Sequence, residues 1–177
     1  MEYILSQVFG SIALILVCIG YFFRKKAHFL FIQIVADIFY AASYMLLGVF
    51  SAGAITIIST IRCVFLYFYE TKGWNYKIAF YTMFVVFAGY IACGVIFWQS
   101  WLDLIPIITG TLFTIAYYIK DMKVVRYLCL PPNAMLMIFG ILNKNYVTAI
   151  LDFIEFSVLI GAILKFHFEN KKEVKKT

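Results

Sequence analysis

Long apolar runs separated by short polar breaks make up most of the chain. Each run is close to the roughly 20 residues that a membrane-spanning helix needs, so the pattern predicts seven transmembrane helices. The predicted spans are 3–22, 29–48, 53–70, 78–98, 102–119, 124–142 and 146–164. Because they use nearly the whole sequence, the chain is predicted to be an all-α, polytopic membrane protein with a single membrane domain over residues 1–177.

The composition supports this interpretation and excludes an ordinary soluble domain. Hydrophobic residues make up 64% of the chain and charged residues 14%, whereas about a quarter of a typical soluble chain is charged. The net charge of +6 could suggest a nucleic-acid partner. The charges lie in short breaks between apolar runs, however, where basic residues set membrane orientation and contact anionic lipid. We therefore expect the lipid bilayer as partner, and no nucleic acid.

Basic residues are strongly asymmetric about the predicted membrane. Thirteen of the 15 Lys and Arg residues lie in the first, third and fifth breaks, in the C-terminal tail (166–177), or at Lys165 just before that tail. The other side holds Lys144 alone, and Arg62 lies within a predicted helix. The positive-inside rule then places the N-terminus outside and the C-terminus in the cytoplasm. The thirteen residues are Arg24, Lys25, Lys26, Lys72, Lys77, Lys120, Lys123, Arg126, Lys165, Lys171, Lys172, Lys175 and Lys176.

The spans also suggest an internal repeat. The first three match the last three in length and direction when residue n is set against residue n + 93. This predicts two parallel three-helix bundles, 3–70 and 102–165, joined by a linker helix at 78–98 that carries no charged residue. Transporters built from repeats place their binding sites at the repeat interface near the midplane of the membrane.

The same offset sets polar residues of the two bundles against each other. Ser59 and Arg62 fall on Asp152 and Glu155, and each pair is three residues apart on one helix face. Both pairs lie about nine residues into a span that starts outside, which is near mid-bilayer at about 1.5 Å per residue.

Four ionisable residues lie within the hydrocarbon region of the predicted spans: Asp37, Arg62, Asp152 and Glu155. Each costs about 3 kcal/mol at the centre of a membrane helix, so such residues normally face a bundle interior or a wet cavity. The simplest pairing joins Arg62 to Glu155 or Asp152. Two carboxylates then remain, and they are either protonated or face water or a cationic ligand. The alternative is an interhelical ion pair that only fixes packing.

A polar stripe on the second helix includes one of these carboxylates. Gln33, Asp37, Tyr40 and Tyr44 follow one another at spacings that keep them on one helix face. They either line a pathway for a polar solute or bridge neighbouring helices through their tyrosines.

A double proline interrupts the sixth span. Pro131 and Pro132 remove backbone hydrogen bonds and predict a kink, which acts either as a hinge or as a fixed bend. Asn133 follows directly and would contact solute if the segment is a hinge.

Several activities are not expected. The two histidines, His28 and His167, lie outside the mid-membrane region, and the four cysteines are isolated, so no metal ligand set is predicted. No intramembrane serine and histidine pair suggests a protease, no mid-span lysine of the seventh helix suggests a rhodopsin, and no phosphate-binding glycine loop suggests an ATPase. We expect no enzyme and no cofactor.

Three segments resemble the YgjV-type bacterial inner-membrane proteins. They are LGVFSAGAITIISTIR (47–62), LDLIPIITGTL (102–112) and TAILDFIE (148–155), and the likeness extends over about residues 6–166. The chain departs from the family pattern in the sixth helix, where the double proline replaces a more aromatic segment. The resemblance implies a location in the bacterial inner membrane.

That family looks like a relative of the SWEET sugar facilitators and the PnuC vitamin-precursor transporters, which have two parallel three-helix bundles joined by a linker helix. The kinship implies a transporter without naming its solute. By position, Ser59, Arg62, Asp152 and Glu155 would contact that solute.

The sequence therefore favours a transporter or facilitator of a small polar solute, with alternating access between the two bundles. A non-transporting scaffold or assembly protein, whose charges only hold helices together, is the main alternative. A proton or cation channel is the third, suggested by the excess of acidic groups. A homo-oligomer is possible under any of the three.

Overall fold

Residues 2–48, 50–73, 76–98, 100–142 and 146–174 are described by a computed structural model of the chain. They form seven α-helices and one short 3₁₀ turn at Trp101–Asp103, and no strand occurs within these ranges. The helices are α1 Glu2–Gly20, α2 Lys26–Leu46, α3 Phe50–Lys72, α4 Tyr76–Ile96, α5 Leu104–Tyr118, α6 Met122–Leu142 and α7 Tyr146–Val174.

Each predicted span falls on one of these helices, so the seven-helix prediction is confirmed for the described ranges. The breaks are short, and glycine ends two of the helices. Gly48 follows α2 and Gly73 follows α3, with φ of 71° and 64°, a left-handed conformation that glycine adopts without steric cost. Lys144, Lys175 and Lys176, which entered the charge count, lie outside the described residues.

Four helices are long and apolar enough to cross a membrane by length and composition. Two further apolar helices, within α4 and α5, are shorter. The four candidate spans are Tyr3–Gly20, Lys26–Leu46, Ala52–Lys72 and Met122–Leu142. Large apolar side chains such as Ile15, Phe31 and Val85 are exposed on the outside of the bundle, as expected for helices that face lipid.

The last helix is longer than the predicted span. α7 continues from residue 164 to Val174, through a stretch that is too polar to lie in hydrocarbon. Lys165 and Glu169 are spaced to interact along the helix, and Glu169 pairs with Arg24 across the bundle at 2.7 Å. Local helix propensity and this contact extend the helix beyond the end of its apolar run.

The helices pack mostly against their neighbours in sequence. α2 packs on both α1 and α3, and α6 packs on both α5 and α7, while α4 contacts α3 more extensively than α5. Smaller contacts between α1 and α7 and between α3 and α5 join the first three helices to the last three.

The buried apolar core lies toward one end of the bundle, near the junctions of α1 with α2 and of α5 with α6. It includes Tyr21, Phe29, Leu66, Val125 and Leu159, all nearly inaccessible to solvent. We call this end, where α1, α3, α5 and α7 finish, the closed end.

Candidate functional site

A cavity of about 400 Å³ lies between the helices in the other half of the bundle. Its size is in the range of small-molecule sites. All seven residues that the sequence singled out for contact with solute line it. They are Asp37, Tyr40, Ser59, Arg62, Asn133, Asp152 and Glu155.

The cavity runs along the helices from one end of the bundle toward its middle. Tyr3 and Val17 of α1 line it, as do Gln33 of α2 and Leu47 just after α2. The two residues of each pair are 14 positions apart. Fourteen residues of helix correspond to a length of about 21 Å. Beyond this depth the apolar core of the closed end begins. We call the end near Tyr3 and Leu47 the cavity end.

Arg62 is bound by neutral groups. Its Nη1 donates to the Thr114 hydroxyl at 2.9 Å and to the Tyr90 hydroxyl at 3.1 Å. The guanidinium carbon lies 4.8 Å from the centre of the Tyr117 ring, a cation–π contact. The predicted ion pair of Arg62 with Glu155 or Asp152 was wrong, since no such pair forms among the described residues. Hydroxyl and aromatic partners satisfy the guanidinium instead.

The helix predicted to be a linker contributes to this site. Tyr90 of α4 is fully buried, and its hydroxyl lies 2.8 Å from the Ser59 hydroxyl as well as near Arg62. Its ring packs on Gly110 of α5, where an added Cβ would lie 3.2 Å from the ring carbons. Sequence reasoning missed this role, because α4 carries no charge within its apolar run.

Asp37 has unused hydrogen-bonding capacity. Its Oδ1 accepts from the Gln33 side chain at 3.0 Å, as the stripe on α2 predicts. Its Oδ2, the Gln33 Oε1 and the Arg62 Nε are all buried without a hydrogen-bond partner among the described residues. All three side chains line the cavity. Buried polar atoms are normally satisfied, but these three have almost no accessible surface, so a molecule in the cavity would contact them only if the side chains move.

Glu155 is held by a tyrosine that sequence reasoning missed. The Tyr21 hydroxyl donates to the Glu155 carboxylate at 2.8 Å and accepts from the Asn133 amide at 3.3 Å. Tyr21 lies just after the last residue of α1 and is fully buried. In the sequence, Tyr21 lies at the end of the first apolar run, and an isolated tyrosine in such a run does not indicate a binding role.

The double proline lies inside a helix that is not interrupted. α6 runs through Pro131 and Pro132, and the Asn133 side chain donates to the Cys129 carbonyl at 2.9 Å, in addition to its contact with Tyr21. A hinge at these prolines remains a prediction.

Two tyrosines line the cavity together with the carboxylates of α7. The rings of Tyr40 and Tyr44 stack with centroids 6.2 Å apart and an interplanar angle of 18°. Both hydroxyls lie within electrostatic range of Asp152 and Glu155. All four side chains line the cavity, so aromatic surface and negative charge occur together there.

Arg126 lies at the closed end and crosses between the two halves of the chain. The charge count placed it in a loop, but it belongs to the second turn of α6 and is 3% exposed. Its Nε donates to the Tyr21 carbonyl at 2.9 Å and its Nη2 to the Phe23 carbonyl at 2.7 Å. The guanidinium carbon lies 4.0 Å from the centre of the Phe166 ring of α7. Arg126 therefore joins α6, α7 and the turn after α1.

Two ion pairs accompany this contact. Arg24, in the turn after α1, pairs with Glu169 of α7. Lys26 lies at the start of α2, where it is buried rather than in an open loop, and it pairs with Glu70 of α3 at 3.7 Å. The basic residues of the closed end thus hold helices together in addition to any effect on membrane orientation.

The chain matches a known protein family. A family model described as Imp-YgjV, bacterial inner membrane protein, matches residues 4–170. No curated protein and no solved structure matches the chain.

Proposed function

This chain belongs to the Imp-YgjV family of bacterial inner membrane proteins, and we propose that it transports a small polar solute by alternating access. In this proposal all seven helices span the membrane, with the N-terminus outside and the C-terminus in the cytoplasm. The cavity end then faces outward and the closed end faces the cytoplasm, so the structure corresponds to an outward-facing state.

The position of the cavity carries the proposal. A space large enough for a small molecule contains the intramembrane charged residues and ends against a packed core about two-thirds of the way along α1 and α2. Charged groups in a membrane protein mark a solute or ion pathway by default, because burying them elsewhere costs free energy without benefit. A site accessible from one end and sealed at the other is what one state of an alternating-access transporter requires.

Contacts between the two halves support the arrangement of two three-helix bundles and a linker. Arg62 of α3 binds Thr114 of α5, and Glu155 of α7 binds Tyr21 after α1. An offset of 93 residues converts the first contact into the second, since it relates Arg62 to Glu155 and Tyr21 to Thr114. The same offset relates the packing of α3 on α5 to that of α7 on α1. In repeat transporters, two bundles related in this way rock against each other to give alternating access.

The closed end supplies the contacts that inward opening would break. Arg126 and the Arg24–Glu169 pair connect the second half of the chain to the turn after α1. Tyr21 belongs to both regions, because its carbonyl binds Arg126 while its hydroxyl binds Glu155 at the cavity. Solute that displaces Tyr21 from Glu155 would therefore weaken the closed end, which couples binding to opening.

The alternative functions fit these contacts less well. In a scaffold, the intramembrane charges should pair with each other, whereas Arg62 and Glu155 bind hydroxyl groups of other helices. A channel needs a continuous path, whereas the cavity of the described residues stops at a packed core.

Uptake into proteoliposomes tests the proposal. Purified protein would be assayed with a panel of labelled amines, sugars, nucleosides and vitamins, and an Arg62→Ala, Glu155→Ala double variant should lose uptake while eluting as a folded monodisperse species. The matched control is the Asp121→Asn, Lys123→Gln double variant, which removes the same two charge types from exposed positions at the start of α6. It should retain most uptake. If no solute enters, or if the cavity variant affects only stability in detergent, the scaffold alternative is favoured.

A further inference from the structure

The charges in the cavity do not balance. Asp37, Asp152 and Glu155 line it together with one cationic side chain, that of Arg62. Arg62 directs Nη1 to two hydroxyl groups and stacks on Tyr117, so among the described residues it forms no ion pair with any of the three carboxylates. The cavity therefore contains three carboxyl groups and one guanidinium group, and no basic side chain of the described residues contacts any of the three carboxyl groups.

Unsatisfied atoms show where a ligand would be bound. Asp37 is 5% exposed, and its Oδ2 has no hydrogen-bond partner within the described part of the chain. The Arg62 Nε–H, a donor, is buried without a partner in the same way. Both atoms have almost no accessible surface, so a ligand hydroxyl group, which both donates and accepts, would reach them only after the two side chains rotate toward the cavity.

The other part of the cavity has the features of a cation site. Asp152 and Glu155 are one turn apart on α7, and the stacked residues Tyr40 and Tyr44 line the same cavity. Carboxylates supply charge, and aromatic faces attract ammonium groups through the ring quadrupole. This combination favours an alkylated or primary ammonium over a small metal ion, since tyrosine rings offer a metal no ligand.

We propose, on the basis of the transport function above, that the cavity binds a small organic cation, with its ammonium group between Asp152, Glu155 and the two tyrosines. A hydroxyl group at the other end of the molecule would be bound by Asp37 and Arg62. A neutral sugar would leave the carboxylates of α7 uncompensated, and an anion would be repelled by them, so both should bind much more weakly.

Choline and its uncharged analogue 3,3-dimethylbutanol provide a direct test. They have nearly the same shape, and choline alone carries a positive charge. A ligand that binds only folded protein raises its apparent stability. We expect choline, or the related amine ethanolamine, to raise the unfolding temperature of purified protein and to bind measurably in titration calorimetry. The uncharged analogue should do neither at the same concentration.

Amide substitutions locate the site. Asp152→Asn and Glu155→Gln should each weaken amine binding at least tenfold, which corresponds to about 1.4 kcal/mol. The matched control is Asp121→Asn. Asp121 is exposed at the start of α6, where its carboxylate accepts from the Lys123 backbone N–H, a contact that asparagine can keep. This variant should bind amine as the parent protein does.

The outcomes separate this inference from the transport proposal. Equal binding of choline and 3,3-dimethylbutanol, or no binding of either amine, would show that the cavity is not a cation site. If uptake of a sugar or another neutral solute is then found and requires Arg62, transport stands and the organic-cation inference is wrong. If amine binds with the expected variant pattern but is not taken up, the site stands and transport is wrong.

Discussion

Replacing Arg126 with glutamine should open the closed end. The variant loses two charge-assisted hydrogen bonds, to the carbonyls of Tyr21 and Phe23, and a cation–π contact with Phe166. Hydrogen bonds to charged groups contribute about 1.5–3 kcal/mol each, and a buried cation–π contact about 1–2 kcal/mol. Glutamine can restore one of the bonds, so a net loss of about 3 kcal/mol is expected.

That loss shifts the balance between closed and open forms by roughly 100-fold, because about 1.4 kcal/mol corresponds to a factor of ten. Cys129 reports the shift directly. It is fully buried, one helical turn from Arg126 on α6. In protein whose other three cysteines are replaced, its reaction with a membrane-impermeant maleimide should accelerate by about the same factor, since labelling follows the open population when opening is fast.

The control is Arg24→Gln. Its ion pair with Glu169 is largely exposed, and exposed pairs contribute under about 1 kcal/mol, so labelling of Cys129 should rise less than about fivefold. If Arg126→Gln leaves the labelling rate unchanged, or if Arg24→Gln matches it, the assignment of Arg126 as the contact that holds the closed end is wrong.

Three further substitutions test the packing of the site. Tyr21→Phe leaves Glu155 without its hydroxyl donor, and it should lower the free energy of unfolding in detergent by about 1–3 kcal/mol, measured by chemical denaturation. Gly110→Ala places a Cβ 3.2 Å from the Tyr90 ring and should cost about 1–3 kcal/mol while reducing uptake, since that ring positions a partner of Arg62. Gly140→Ala meets backbone atoms of Ala149 at 3.0–3.1 Å, so its unfolding temperature should fall without any change in ligand selectivity.

The helices and the membership of the site could be predicted from the sequence for a simple physical reason. Apolar runs of membrane length have few alternatives to a helix, because lipid cannot satisfy a free backbone. Charges inside those runs are costly enough to be brought together, and Asp37, Arg62, Asp152 and Glu155 do line one cavity.

The partners of those charges could not be predicted in the same way. Thr114, Tyr90 and Tyr21 are neutral residues of types common in apolar helices, so nothing in their spacing marks them as ligands of Arg62 or Glu155. A prediction based on charge alone pairs each cation with an anion and does not consider hydroxyl groups as partners.

Boundaries between helices were a second source of error. Arg126 lies two residues after the start of the predicted span 124–142 and was counted with the basic residues of the preceding break, whereas α6 begins at Met122 and places it in the second turn, where it is buried. Its role depends on backbone carbonyls of the turn after α1, whose position is set by tertiary packing rather than by local sequence.

Alternating access itself can be tested without knowledge of the solute, because it requires the cavity end to close when the closed end opens. Thr56 of α3 lines the cavity, and a Thr56→Cys variant in an otherwise cysteine-free chain reports on the cavity end. Introduction of Arg126→Gln should slow labelling of this cysteine from outside, whereas in parallel vesicles of the chain that retains Cys129 alone it should accelerate labelling of Cys129 from inside. If both rates rise together, or if only Cys129 responds, the two ends do not alternate and the transport mechanism proposed for this chain is contradicted.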